Sequence, residues 1–158
     1  MSNSPLVTIL MPVFNRAQTL RQAMESVLAQ SLDDFELLVI DDGSTDGSLE
    51  LARSFRDKRV RVECNPKNLG QTPTRNRGIE FMRGRYVAML DSDDYALPER
   101  LARQVSFLEA HPQHAEVGSW VMIQDDRSGR NRIKRHPTRS REIKAWLPWR
   151  NTISHTSV

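Results

Sequence analysis

Val7-Thr8-Ile9-Leu10-Met11-Pro12-Val13, then Leu20, Ala23, Met24, Val27 and Leu28, then Phe35-Glu36-Leu37-Leu38-Val39-Ile40 decide the fold. The first run is short and apolar, as a strand covered on both faces would be. The five apolar residues after it recur at i, i+3, i+4, i+7 and i+8, the stripe of an amphipathic helix. The third run is a second buried strand. Strand, helix and strand in quick succession make a crossover unit, and strands joined in that way run parallel.

Outward from this unit the alternation continues. Leu49, Ala52 and Phe55 predict a helix, and Val60 and Val62, alternating with Arg61 and Glu63, a strand near a sheet edge. Thr72-Pro73 reads as an N-cap and first turn, opening a helix that closes near Gly84. Tyr86 to Leu90 is a fourth strand, and Pro98 opens a helix carrying Leu101, Val105 and Leu108. The order predicts an α/β fold, a mostly parallel Rossmann-like sheet with helices on both faces. It then breaks. Val117–Gln124 and Arg130–Arg135, joined through Asp125 to Gly129, predict an antiparallel hairpin. A short helix follows at Arg141–Trp146, and Ile153–Val158 reads as a strand stopped in mid-course. With no internal repeat or linker, residues 1–158 are read as one domain, truncated at its C-terminal end.

Composition sets the class. A domain of 158 residues can bury roughly 68–70% of its unfolded surface. Hydrophobic residues make up 38% and charged ones 27%, which excludes a disordered chain. No stretch approaches the ~20 apolar residues needed to span a bilayer, and Met1 to Pro5 lack the basic start of a secretory signal. The single cysteine, Cys64, cannot form an internal disulfide, so a reducing cytoplasm is expected and the thiol reads as structural. Net charge is +3 and the pI about 9.4. The excess gathers at Arg127, Arg130, Arg132, Lys134, Arg135, Arg139 and Arg141, a cluster suited to an anionic membrane face or a phosphorylated acceptor, or simply a solvated hairpin. Without aromatic residues interleaved to stack bases, nucleic acid is not an expected partner.

In an open parallel sheet, ligands bind beyond the carboxyl ends of the strands. Three such ends are polar here: Asn15, Asp41-Asp42, and Asp91-Ser92-Asp93-Asp94. Carboxylates facing one crevice repel unless a cation or a hydrogen-bonding ligand sits among them. Oxygen donors select Mg2+ or Mn2+, ions that commonly bridge to substrate phosphates. Asp91 and Asp93, two apart on a turn, can serve one ion; turn formation is the alternative use of such aspartates. Asp42 to Gly47 imitates the start of an EF-hand loop, but position twelve is Arg53 and a strand precedes it, so that reading fails. Neither a G-x-G-x-x-G nor a P-loop is present, which leaves phosphates to a metal and to basic side chains.

Pro12-Val13-Phe14-Asn15, Asp41-Asp42-Gly43-Ser44-Thr45-Asp46, Asn68-Leu69-Gly70 with Arg75-Asn76-Arg77-Gly78, and Asp91-Ser92-Asp93-Asp94 together resemble the family 2 inverting glycosyltransferases. The likeness spans roughly residues 5–110, and His155-Thr156-Ser157-Val158 is similar to the family's next strand. The resemblance implies an A-type glycosyltransferase fold, a nucleotide-diphospho-sugar donor, commonly a UDP-sugar, and a saccharide or lipid-linked acceptor. By position it implies that Asp42 accepts a hydrogen bond from the base, that Pro12, Phe14 and Asn15 pack against base and ribose, and that Asn68 and Arg75 flank the nucleotide, with Arg75 reaching the diphosphate. Asp91, Ser92 and Asp93 match the D-x-D segment, Asp93 being the better metal ligand and Asp91 the second. Asp94 is expected to cap the next turn, and His155 to face either the metal and acceptor or the domain interior. The implied catalytic base lies past Val158. Two other functions compete: a non-catalytic nucleotide-sugar-binding module, and a sugar-phosphate nucleotidyltransferase. The second wants a glycine-rich loop after strand one, where Pro12 to Arg16 contains no glycine.

Overall fold

The computed structural model describes residues 4–125, 128–149 and 152–158. Chain order is β1 (Val7–Val13), α1 (Leu20–Leu28), β2 (Phe35–Asp41), α2 (Ser48–Ser54), β3 (Val60–Cys64), α3 (Gln71–Phe81), β4 (Tyr86–Met89) and α4 (Arg100–Ala110), then β5 (Val121–Asp125), β6 (Arg130–Lys134), α5 (Ser140–Trp146) and a 3-10 turn, His155–Ser157. The first four strands form one parallel sheet in the order β3-β2-β1-β4, in which Val7 pairs with Phe35 and Tyr86. The chemistry of a loop is thereby set by its strand: the tails of β1, β2 and β4 all leave the same end of the sheet.

Side-chain alternation divides the sheet's two faces. Val7, Ile9, Met11 and Val13, with Leu37 and Val39, bury against Leu20, Ala23, Met24 and Val27 of α1, Ala52 of α2 and Leu101 of α4. Leu10, Leu38 and Ile40 point the other way, with Phe81 of α3 packed against them. Both layers are apolar, which is why β1 and β2 read as continuous hydrophobic runs. A fully buried side chain of this size stabilises by about 1.5–3 kcal/mol. Gly78 lets α3 close on the sheet, since a Cβ there would lie 2.3 Å from a Leu10 methyl.

Two expectations are corrected. The helix expected to open on Thr72-Pro73 begins at Gln71 behind Gly70, so Thr72 is not the cap; Gly70, at φ 92°, makes the turn that a threonine would resist. The expected strand Ile153–Val158 is a 3-10 turn after an extended Ser154. The Ser157 N–H donates to its own Ser154 carbonyl, and the Ser157 hydroxyl to Ser119, closing the turn locally. Val158 alone reaches the sheet, its carbonyl accepting from the Met89 N–H at 2.7 Å and from the Arg100 guanidinium at 2.8 Å. Arg100 also donates to the Met89 carbonyl at 2.9 Å, so one buried cation ties α4, β4 and the tail together, and burial lowers its pKa to about 10 despite Asp94. The antiparallel hairpin pairs as β5-β6 from Val121–Lys134 to Asp125–Arg130; Asp126 and Arg127, within its expected turn, lie outside the described residues.

Candidate functional site

The loops after β1 and β2 are stapled to each other. Asn15 sits at φ 52°, a left-handed conformation that asparagine tolerates better than most residues. Its side-chain carbonyl accepts the Thr45 N–H at 2.9 Å while its own N–H donates to Ser44 Oγ at 3.0 Å. The Arg16 N–H donates to Ser48 Oγ at 2.8 Å, and the Ala17 N–H to Asp46 Oδ2 at 3.0 Å. The other Asp46 oxygen takes the Ser48 N–H at the start of α2, and hydrogen bonds from Ser48 and Ala17 hold the carboxyl below its ordinary pKa. The EF-hand-like stretch is thus a clamp between two loops.

Gly43 brings in a third loop. At φ 73°, a Cβ here would stand 2.6 Å from the Lys67 carbonyl carbon, so main chain touches main chain. That contact lays the next residues over Asp42, whose Oδ1 accepts from Asn65 Nδ2 at 2.7 Å and the Leu69 N–H at 2.9 Å, and whose Oδ2 accepts from the Gly70 N–H at 2.9 Å. Burial pushes the Asp42 pKa up, but the bonds from Asn65, Leu69, Thr74 and Gly70 outweigh it and hold the carboxyl ionised below the usual range. Asn65 is itself fixed: its oxygen faces Arg77, and its amide also donates to Thr74 Oγ1 at 3.0 Å. Sequence reasoning missed Asn65 and Thr74. Asn65 directly follows β3, so the rule that polar strand ends face the ligand would have found it had amides been sought along with carboxylates.

The Asp91–Asp94 segment is built differently. Asp91 Oδ1 pairs with Arg75 Nη2 at 2.8 Å, so Arg75 meets the cleft through a carboxylate of its lining. Ser92 is buried and its carbonyl accepts from Thr19 Oγ1 at 3.0 Å. Asp93 stands out, its side chain 48% exposed, with Arg16 Nε at 3.3 Å. Asp94 is met by Thr156 of the tail; burial first, then the charges of Asp93 and Asp91, push its pKa up. His155 is exposed.

One cleft of about 290 Å³ joins the two systems. Pro12, Phe14, Arg16, Asp42, Asn68, Gly70, Gln71, Thr74, Asp91, Ser92 and Asp93 line it, so Asp42 and Asp93 share a wall-to-wall space. Asn15 and Arg75 are not among the lining residues; they tie to it through the neighbouring loop and through Asp91. Among the described residues no three acidic, His or Cys side chains form a metal cage. An ion taking one or two carboxylates and completing its shell with phosphate oxygens and water fits Asp93; an ion needing an all-protein cage does not. The exposed Arg16–Asp93 pair is worth about 0–1 kcal/mol, weak enough to yield to a divalent cation. A second groove, about 400 Å³, runs between β4 and α4 past Val158, lined largely by apolar side chains, and carries no acidic cluster.

Residues 8–157 match the family described as Glycosyl transferase family 2. The chain belongs to glycosyltransferase family 2. It is 34% identical over 129 residues to the putative glycosyltransferase EpsE of Bacillus subtilis, covering 80% of this chain and 46% of that one. The amylovoran biosynthesis glycosyltransferase AmsE of Erwinia amylovora is 31% identical over 157 residues, covering 97% and 59%. Among solved structures, TarS of S. aureus in complex with UDP-GlcNAc superposes with a TM-score of 0.64 at 28% identity, over 67% of this chain and 32% of that chain. The mannosyltransferase PcManGT of Pyrobaculum calidifontis, in complex with GDP-Man and Mn2+, shares the fold at a TM-score of 0.64 and 22% identity, over 80% and 37%. This family 2 chain spans about half the length of the curated relatives named. Its parallel sheet and flanking helices agree with the A-type fold expected from sequence.

Proposed function

We propose that this chain is the donor-binding part of a metal-dependent inverting hexosyltransferase that moves a sugar from a nucleotide diphosphate, a UDP-sugar first among candidates, to a saccharide or lipid-linked hydroxyl. The observation that carries the reading is the single cleft gathering Asp42 from the end of β2 and Asp91 and Asp93 from the end of β4. The UDP-GlcNAc complex of TarS supports the choice of base.

Asp42 is ionised and aimed by the donors around it, and it lines the cleft where an N–H of the base would meet it. Pro12 and the 40%-exposed Phe14 give the base and ribose an apolar wall, and Asn15, bonded to Ser44 and Thr45, fixes the loop that carries it. Asn68 presents the neighbouring loop. Arg75 holds Asp91 toward the sugar side instead of reaching the diphosphate itself. Asp93, with Asp91 of the same lining, would hold Mn2+ or Mg2+, which when bound supplies positive charge against a leaving diphosphate, a contribution largest in the transition state. Arg16, freed from Asp93, adds a cation at the same mouth. We place the general base beyond Val158 and the enzyme in the cytoplasm, at the inner membrane face, where a lipid-linked acceptor would be presented.

Calorimetry of UDP binding tests this. With Mn2+ the affinity rises at least tenfold, and Asp93→Asn abolishes that rise; equal affinity with and without metal in the unmodified chain overturns the metal-bridged site.

A further inference from the structure

Residues 119–149 carry eight Lys and Arg against three Asp and Glu, while the rest of the chain carries fifteen against seventeen. The protein's basic character is therefore the property of this one segment. The β5-β6 hairpin within it is tied at its base, where Ser119 exchanges hydrogen bonds with Ser157, and near its far end, where Tyr95 donates to Gln124 at 3.0 Å. Between these ties it is open. Cross-strand register puts Met122 opposite Ile133, and Trp120 stacks against Arg135 at 5.3 Å on the same face. Trp120 and Met122 are each 48% exposed and Ile133 57%. Alternation sends Arg130, Arg132 and Lys134 to the opposite face, all exposed.

We propose that this hairpin docks on an anionic phospholipid surface. A two-stranded ribbon exposed on both faces buries no core, so its apolar side chains gain nothing where they stand. Tryptophan with aliphatic neighbours and arginine is the combination that settles at a headgroup boundary. The cations of the second face remain within about one Debye length, 8–10 Å, of the headgroups, and their long stems let them reach around the ribbon. Against nucleic acid, Met122 and Ile133 would be idle. Among the described residues no helix is long and apolar enough to cross a membrane, so contact is peripheral. Because Tyr95 directly follows Asp94, docking would hold the mouth of the cleft near the headgroups. The proposal draws on the membrane-face placement above, but on residues outside the donor cleft.

The test is sedimentation with phosphatidylglycerol-containing and purely phosphatidylcholine vesicles, using the protein at its full natural length, since further polypeptide over the hairpin is the competing occupant. Anionic vesicles bind and neutral ones bind at least tenfold less. Each lysine or arginine near such a surface is worth roughly fivefold, so Arg130→Gln, Arg132→Gln and Lys134→Gln together weaken binding about 100-fold. Trp120→Ser with Ile133→Ser weakens it about tenfold, and a tenfold rise in salt releases the unmodified protein whatever the variants' folding. Undiminished binding by the triple variant, equal binding to neutral vesicles, preference for RNA over vesicles, or failure to bind at all overturns the proposal. UDP binding retained alongside such a failure leaves the donor reading standing.

Discussion

Asp42 and Asp93 face the same cleft from the ends of β2 and β4, on either side of β1, yet their surroundings differ in kind. Asp42 is 4% exposed and every donor around it is fixed by something else: Asn65 by Arg77 and Thr74, the Leu69 and Gly70 amides by the Gly43 contact. Asp93 is half exposed and has one loose ion pair. A rigid, charged acceptor suits recognition of a flat group with fixed donors, since nothing must reorganise on binding. A mobile carboxylate suits an ion whose remaining ligands arrive with the substrate. Where one site needs both rigidity and adaptability, this chain assigns them to different strands.

The contrast can be broken by substitution. Asp93→Asn is expected to cost the most in function, a loss of roughly 100-fold in metal-supported UDP affinity by calorimetry, while thermal unfolding moves by no more than the about 0.5 kcal/mol typical of surface changes. Asp42→Ala should do the reverse in stability: it strands Asn65 Nδ2 and two amides, for a loss of about 1–3 kcal/mol in urea unfolding, together with weaker UDP binding. A surface-like Asp42, changing stability by less than a few tenths, would erase the distinction. Gly43→Ala follows, at roughly 1–3 kcal/mol for a non-glycine residue forced into positive φ; its signature is loss of UDP affinity without any change in the metal dependence that remains. Arg75→Ala comes next, weakening donor binding about tenfold by freeing Asp91, with Arg75→Lys restoring part of it.

The smallest effect is a slope. The folded-state pKa of Asp42 lies below its ordinary 3.8, so folding favours the ionised form. That stabilisation is complete above about pH 4 and is lost as pH falls through the lowered folded value. Asp42→Asn should therefore lose stability less steeply than the unmodified protein over that acidic range in urea titrations at stepped pH; parallel curves would mean the carboxylate is not held as described.

Much of this was legible in the amino acids. β1 and α1 run over the residues their periodicity predicts, because a sheet buried on both faces and a one-sided helix leave unmistakable patterns. The acidic strand ends were legible too, since parallel topology sends them to one edge. What periodicity could not supply was the company each residue keeps. That Arg75 also pairs with Asp91 was not foreseen: it is an encounter between segments sixteen residues apart that only the packing of α3 against the sheet decides. Asn65 carried no charge to draw notice. Thr72 looked like a cap because its chemistry suits one, but the chain needed a positive φ one residue before the helix, and only Gly70 supplies that comfortably. The tail alternated like a strand, yet its local hydrogen bonds closed a turn before the sheet could claim it.

Main chain has no side chain to exchange. Where Gly43 meets Lys67, the contact that sets the loop over Asp42 is peptide against peptide, so evolution cannot reshape it one residue at a time. The opposite rim is made of replaceable parts, Phe14, Asn68 and Gln71 among them. If the cleft takes a nucleotide as proposed, descendants of this chain that came to accept a different base would have inherited that contact unchanged and rewritten the rim.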